Sequence, residues 1–189
     1  MDFNSYREMI NSGLNSIDMN SIDTGFNMIF DSIRNNRKII LFGNGGSQAV
    51  LNHWQCDFEK GLYNVSKELY SNCINLTSNP ALITAITNDI GKEYMFSHQI
   101  EYIKDSDCLC ICMSSSGNSI NIVNGLKEAR RKQYKSILIC GFDGGVCKKE
   151  SLADCIIHIN TPVYGVHEDF CSMIMHYYQI GVFSIAKQL

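Results

Sequence analysis

Two short segments of the sequence combine glycine, serine and asparagine in a way that favours anion binding. The first is Gly43-Asn44-Gly45-Gly46-Ser47, which follows an apolar run and opens a helical pattern. Glycines there let backbone N–H groups approach a ligand closely. The segment matches neither the dinucleotide-binding pattern G-x-G-x-x-G nor the Walker A loop. Because a tight strand-to-helix turn without a ligand has similar residues, this segment alone leaves both interpretations open.

The second segment is Ser114-Ser115-Ser116-Gly117-Asn118-Ser119, which also lies between an apolar run and a helical pattern. Hydroxyl groups, a glycine and the amides of a helix N-terminus form a phosphate cradle without a lysine. We expect one of these serines to cap the following helix. A cap needs only one serine, so the sequence favours phosphate binding by the others.

Two pairs of residues have the chemistry of metal ligands or acid–base groups. His53 and Asp57 are four residues apart, so on a helix both project from one face, which suits either a divalent metal or a simple surface hydrogen bond. Glu168 and His176 are eight residues apart, about 12 Å along a helix. They can share one site only if their side chains converge or if the helix starts after Glu168. The apolar neighbours of His176 are also typical of a core histidine.

Apolar runs alternate with helical patterns along the chain, and this alternation predicts an α/β fold. Several runs are continuously apolar, as expected of parallel strands covered on both faces. The five predicted strands are residues 38–42, 72–76, 107–113, 136–140 and 154–159. The predicted helices are residues 4–17, 21–35, 47–60, 119–131 and 166–187. The order predicts a doubly wound three-layer sandwich with a five-stranded parallel sheet, in which ligands bind at the carboxyl ends of the strands. We expect one domain over residues 1–189, with N-terminal helices in 1–37 and the α/β core in 38–189.

Composition and charge exclude several classes of protein. The chain has 16 basic and 19 acidic side chains, a balance without the positive excess typical of nucleic-acid binding. Polar residues interrupt its longest uncharged stretches, so we expect no membrane span.

The nine cysteines are odd in number and include no Cys-x-x-Cys pair. Charged residues stand near the start where a secretory signal would be apolar. We therefore expect a cytoplasmic protein with reduced, mostly buried cysteines.

The two loops together resemble those of the sugar isomerase (SIS) domain family, and in particular its phosphoheptose isomerase group. The segment Thr87-Asn88-Asp89-Ile90-Gly91-Lys92-Glu93-Tyr94-Met95-Phe96 resembles a further characteristic block of that group. Gly141-Phe142-Asp143-Gly144-Gly145 extends the similarity towards the last helix. The resemblance implies a flavodoxin-like fold and conversion of sedoheptulose 7-phosphate to D-glycero-D-manno-heptose 7-phosphate through an enediol. It also implies a homotetramer with one zinc ion per subunit, and a product used in heptose precursor synthesis.

The resemblance assigns roles to individual positions. By resemblance, Asp57 and His176 correspond to the catalytic base and the catalytic acid of the group. Zinc ligands fall on His53, Asp57, Glu168 and His176. Substrate contacts fall on Asn44, Gly45, Gly46, Ser47, Asp57, Asn88, Asp89, Ser114, Ser115, Ser116, Ser119 and Glu168.

The chain departs from the group at two of these positions. Asp57 stands where the group has glutamate, and Glu168 stands where many members have glutamine. These departures favour an alternative in which the enzyme isomerises another ketose phosphate. A second alternative is a non-catalytic SIS protein that binds a sugar phosphate for regulation or binds a replication initiator. Retention of His53, a carboxylate at position 57 and His176 argues against a purely binding role.

Overall fold

The structure is a computed structural model that describes residues 2–188. Its centre is a sheet of five parallel strands in the order β2-β1-β3-β4-β5. The strands are β1 (Lys38–Gly43), β2 (Asn72–Asn75), β3 (Cys108–Ser114), β4 (Lys135–Cys140) and β5 (Cys155–His158). The predicted sheet is confirmed, with strand ends shifted by at most one residue. Strand β2 is added on one side of β1, whereas β3, β4 and β5 are added on the other side. Ligands of such sheets bind at this switch point, between β1 and β3.

Helices cover both faces of the sheet. They are α1 (Phe3–Ser16), α2 (Met19–Arg34), α3 (Gly45–Cys56), α4 (Leu62–Val65), α5 (Pro80–Asp89), α6 (Ser97–Tyr102), α7 (Ile120–Arg131), α8 (Gly145–Lys149) and α9 (Tyr164–Ala186). Both predicted N-terminal helices are present. The sequence patterns did not predict α4, α5, α6 and α8, which are short. Of these, α5 carries a clear start signal, because Asn79 caps it and Pro80 is its first residue.

The central strand β3 shows why its sequence is continuously apolar. All seven of its residues are buried, and successive side chains point to opposite faces. Leu109, Ile111 and Met113 join the core that includes α2, α3 and α9. Cys108, Cys110 and Cys112 join the core on the other face, beneath α6 and α7. The cysteines of this strand therefore act as small packing residues, as predicted.

The helix predicted over residues 47–60 differs from the observed one. It begins earlier, at Gly45, and leaves α-helical geometry at Asp57, where a π-helical turn runs from Asp57–Gly61 before α4. A π turn is uncommon and is frequently found at functional sites. It places the Asp57 carboxylate at the junction between two helical geometries.

The cysteines are mostly buried, as the sequence predicts. All nine cysteines are free, and seven are buried. Among residues 2–188, no helix is both long enough and apolar enough to cross a bilayer.

Candidate active site

The two polar loops meet at the carboxyl end of the sheet. Strands β1 and β3 are neighbours, with Gly43 paired to Met113, so the segments that follow them lie side by side. A pocket between them is lined by all eight predicted substrate contacts of the two loops, together with Glu168. Its lining residues are Asn44, Gly45, Gly46, Ser47, Met113, Ser114, Ser115, Ser116, Ser119, Tyr164 and Glu168. The structure therefore brings nine predicted residues into one site.

Three helices begin at this pocket, so the partial positive charges of their N-termini lie beside it. They are α3, α7 and α9, and none has a side-chain hydrogen bond at its N-cap. First-turn N–H groups without a capping side chain favour an anion, and the helix dipoles add to that preference. The expectation that a serine caps α7 is wrong. Ser119 occupies the N-cap position, but its hydroxyl does not bond the helix N–H groups.

The serine loop is held in shape by close backbone contacts. Gly117 has a φ of +62°, and a Cβ at this position would collide with the carbonyl oxygen of Gly144. Within the loop, the Gly117 N–H donates to Oγ of Ser114 at 3.2 Å. The Val146 N–H donates to Oδ1 of Asn118 at 2.9 Å. The loop is therefore fixed by its own sequence and by the turn that follows β4.

An amide pair connects the glycine loop to α7. Nδ2 of Asn121 donates to Oδ1 of Asn44 at 2.9 Å, and Nδ2 of Asn44 donates to Oδ1 of Asn121 at 3.1 Å. The side chain of Asn44 therefore links the glycine loop to the helix that follows the serine loop. Asn121 was missed by the sequence analysis, and its single amide in a helical pattern carries no local signal.

A buried histidine supports the serine loop from behind. Oγ of Ser115 lies 2.9 Å from Nδ1 of His167, which is fully buried on α9. Desolvation, with a smaller contribution from the nearby His158, lowers the pKa of His167 to about 4. The sequence analysis missed His167. A signal was available, because His167, Cys171 and Ile174 follow helical spacing on the apolar stripe of α9.

A second cluster lies farther along the same pair of helices. Helices α3 and α9 run side by side in one direction, with Gly46 beside Glu168 near their starts and His53 beside His176 farther on. Nε2 of His53 lies 3.2 Å from Oδ2 of Asp57, and Nε2 of His176 lies 4.0 Å from the same oxygen. Ligand atoms of the three side chains all lie within 4.8 Å of one another.

Two imidazoles and one carboxylate at this spacing suit a divalent transition metal such as zinc. The Asp57 side chain is 24% exposed, whereas those of His53 and His176 are 51% and 45% exposed. A substrate therefore has access to the imidazoles from solvent.

Glu168 does not join the three-residue group. Helix α9 starts at Tyr164, before Glu168, so Glu168 and His176 are separated by about two turns of one helix, about 12 Å. The carboxylate of Glu168 lies instead against Gly46, in the pocket of the serine loop. The structure places this predicted ligand beside the predicted substrate contacts of the two loops.

Asn88 and Asp89 also lie away from the pocket. Both are exposed at the end of α5, where Nδ2 of Asn88 donates to Oδ1 of Asp89 at 2.7 Å. Within residues 2–188 of this single chain, they line neither the serine pocket nor the His53–Asp57–His176 group. Their predicted contact with substrate stays a prediction.

Comparisons with known proteins agree with this fold and site. The family model of the SIS domain matches residues 3–141. The chain is 32% identical over 186 residues to a probable phosphoheptose isomerase of Thermoplasma volcanium, covering 94% of this chain and 93% of that protein. It is 33% identical over 175 residues to the phosphoheptose isomerase of Buchnera aphidicola subsp. Schizaphis graminum, covering 93% of this chain and 87% of that protein.

A solved structure shows the same architecture. The phosphoheptose isomerase of Francisella tularensis superposes with a TM-score of 0.86 at 21% identity, covering 96% of this chain and 94% of that chain. This agreement concerns the fold, including the N-terminal helices and the parallel sheet. Taken with the sequence relatives, it shows that the chain belongs to the SIS domain family and, within it, to the phosphoheptose isomerase group.

Proposed function

We propose that this protein is an aldose–ketose isomerase that converts sedoheptulose 7-phosphate to D-glycero-D-manno-heptose 7-phosphate for heptose precursor synthesis. The observation that carries the proposal is the arrangement of two clusters on α3 and α9. The anion pocket lies at the start of the two helices, and the His53–Asp57–His176 group lies farther along them. The distance between Glu168 and His176 along α9, about 12 Å, suits a sugar phosphate of several carbons bound at both ends.

The pocket binds the phosphate in this proposal. First-turn amides of α3 and α7 and the hydroxyls of the serine loop donate to the phosphate oxygens, so no lysine is needed. The carboxylate of Glu168 accepts hydrogen bonds from sugar hydroxyls rather than binding the phosphate, because two anions would repel each other. The sugar then extends along α3 towards Asp57.

Asp57 and His176 carry the proton transfers. The Asp57 carboxylate removes the proton on C1 of the ketose, which leaves an enediol, and the proton returns to C2. His176 exchanges the proton on the substrate oxygen, a task suited to an imidazole near neutral pH. Their Oδ2 and Nε2 atoms are 4.0 Å apart, so both side chains can contact adjacent carbons of one substrate.

One zinc ion per subunit is part of the proposal. His53, Asp57 and His176 supply its ligands, because their donor atoms converge within 4.8 Å. Glu168 as a fourth ligand is a prediction from the resemblance alone. Bound there, the metal would stabilise the negative charge that develops on the enediolate oxygens.

We also propose a cytoplasmic homotetramer. Met173, Tyr177 and Ile180 form an exposed apolar stripe on α9, at 41%, 51% and 65% exposure. Such a stripe favours a contact between subunits. Asn88 and Asp89 are exposed, so they are available to a neighbouring subunit's site in such an assembly.

A related function, isomerisation of a hexulose or pentulose phosphate, is favoured by one observation. Asp57 is one methylene shorter than the glutamate of the group, which changes the distance to the reacting carbon. The test is to compare kcat/KM for sedoheptulose 7-phosphate with the values for hexulose and pentulose phosphates. We expect the heptulose to be the best substrate. A higher kcat/KM for a shorter sugar phosphate would assign the related function instead.

A further inference from the structure

We propose that His167 is a positioning residue that holds the hydroxyl of Ser115 with its proton directed at the bound phosphate. This inference rests on the proposed function, since it takes the serine pocket as the site of the substrate's phosphate. His167 itself is fully buried and does not line the pocket, so it acts through Ser115.

The surroundings of His167 leave its ring one orientation. Nδ1 lies 2.9 Å from Oγ of Ser115. On the other side, a Cβ built on Gly141 would lie 2.8 Å from Cδ2 of the ring, so the imidazole fills the space that the glycine leaves. The Gly141 N–H also donates to the carbonyl oxygen of Ser115 at 3.0 Å. Gly141 and His167 together therefore fix both the backbone and the side chain of Ser115.

The position of the ring proton decides what Ser115 offers to a ligand. If Nε2 carries the proton, the Ser115 hydroxyl donates to Nδ1 and presents lone pairs to the pocket, which repel phosphate. If Nδ1 carries the proton, the imidazole donates to Oγ, and the hydroxyl proton is available to the pocket. Phosphate oxygens only accept hydrogen bonds from such a hydroxyl. A bound phosphate therefore selects the Nδ1–H tautomer.

Cys171 packs against the same ring. Its Sγ lies 3.6 Å from Nε2 and 3.7 Å from Nδ1 of His167, so the sulfur lies over the ring, and the residue is fully buried. A thiol in that position is out of line with the in-plane lone pair of either nitrogen, so it does not decide which nitrogen carries the proton. Within residues 2–188, the ring nitrogens have polar side-chain contacts with Ser115 and Cys171, both uncharged. Ser115 and the phosphate that it contacts therefore decide the tautomer of the ring.

The test compares His167→Leu, which removes the ring nitrogens, with His167→Asn, which keeps an amide donor near the position of Nδ1. Binding of inorganic phosphate is measured by calorimetry, and KM and kcat are measured with sedoheptulose 7-phosphate. We expect His167→Leu to raise the phosphate Kd and KM roughly tenfold, the loss typical of one hydrogen bond to a charged group. We expect kcat to change by less than about twofold, because the contact is equal in ground and transition states. His167→Asn should recover most of the affinity.

Two controls separate positioning from general packing. Val182→Ala removes buried volume from α9 away from the pocket, and we expect it to lower the urea midpoint without changing KM. In a Ser115→Ala background, His167→Leu should have no further effect on phosphate affinity. Unchanged phosphate affinity in His167→Leu, equal losses in the Leu and Asn variants, or additive losses with Ser115→Ala would overturn the proposal.

NMR of the wild-type protein tests the tautomer of His167 directly, without relying on the folding of a variant. The 15N shifts of the His167 ring, recorded with phosphate bound, should show Nδ1 protonated and Nε2 unprotonated. The reverse assignment would contradict the proposal. If the wild type binds phosphate in a His167-dependent way but does not convert sedoheptulose 7-phosphate, the proposed function fails and this inference stands. If conversion is normal and phosphate affinity is independent of His167, only this inference fails.

Discussion

The imidazole rings of His53 and His176 lie 5.3 Å apart, nearly perpendicular to each other, across the contact between α3 and α9. The two residues are far apart in sequence, and helix packing brings them together. The same contact places Asp57 beside both rings, because the π turn after α3 begins at that residue. Anything that shifts α3 against α9 therefore changes the spacing of all three side chains.

Zinc retention should depend on this contact. His53→Ala removes one of the three converging ligand atoms, and we expect the zinc affinity to fall by at least about 100-fold, beyond the usual loss for residues that only support a ligand. Metal analysis after dialysis measures the change. Cys56→Ser is the matched control, since Cys56 is exposed one residue before Asp57 and lies outside the group. Equal zinc content in both variants and the wild type would argue against the ligand set.

Gly46 should tolerate no side chain. A Cβ at Gly46 would collide with the carboxylate of Glu168, which then must move into the pocket. We expect Gly46→Ala to raise KM by about tenfold or more through lost binding of the substrate. Gly165→Ala is the control, because a Cβ there meets no atom within 4 Å. That helical alanine should stabilise the protein by about 0.5–1 kcal/mol with KM unchanged.

Ser119 and Asn79 test the difference between a ligand-binding and a capping residue. Both occupy N-cap positions, but only Asn79 makes the cap bond, accepting from the Leu82 N–H at 3.1 Å. We expect Asn79→Ala to cost about 1 kcal/mol in free energy of unfolding with no change in phosphate affinity. Ser119→Ala should weaken phosphate binding with little loss of stability. A stability loss in Ser119→Ala equal to that of Asn79→Ala, with phosphate affinity kept, would make Ser119 a cap alone.

His167 should make the stability of the protein depend on pH. Its pKa in the folded protein is about 4, below the ordinary value of 6.5, so the unfolded chain binds more protons between these two values. The free energy of unfolding should therefore fall as pH drops from 6.5 towards 4, by up to about 3 kcal/mol from this group. His167→Leu should lack this component. The difference between the two unfolding curves isolates it from metal loss at low pH, and parallel curves would show that burial does not hold the ring neutral.

Much of the fold was predictable because the apolar pattern of each strand matches the burial of that strand in the sheet. The continuous apolar runs follow from strands covered on both faces, and β3 is buried at every position. Helices α5 and α6 were missed because they are short and each has a single buried residue, Ile86 and Ile100, so they lack the periodic apolar stripe that prediction relies on. The π turn at Asp57 was also missed, since a change from α to π geometry leaves the apolar spacing almost unaltered.

The site was predictable to the extent that it depends on sequence neighbours. The glycine and serine loops each follow a strand, so their meeting follows from adjacent parallel strands. The positions of Glu168 and Asn121 depend on how α9 and α7 pack, which spacing along the chain does not encode. Glu168 shares a helix with His176, yet the two helical turns between them place their side chains in different clusters.

The central claim is that Asp57 and His176 transfer protons through an enediol on a sugar phosphate held by the serine loop. The most direct measurement follows deuterium incorporation at C2 of the product by NMR, with zinc-loaded protein and sedoheptulose 7-phosphate in deuterated water. The account predicts deuterium at C2 for the wild type and a loss of rate of about 10²–10⁴-fold in Asp57→Ala and His176→Ala, with phosphate affinity kept. No turnover by a wild type that binds the sugar phosphate, or full activity in either variant, would contradict it.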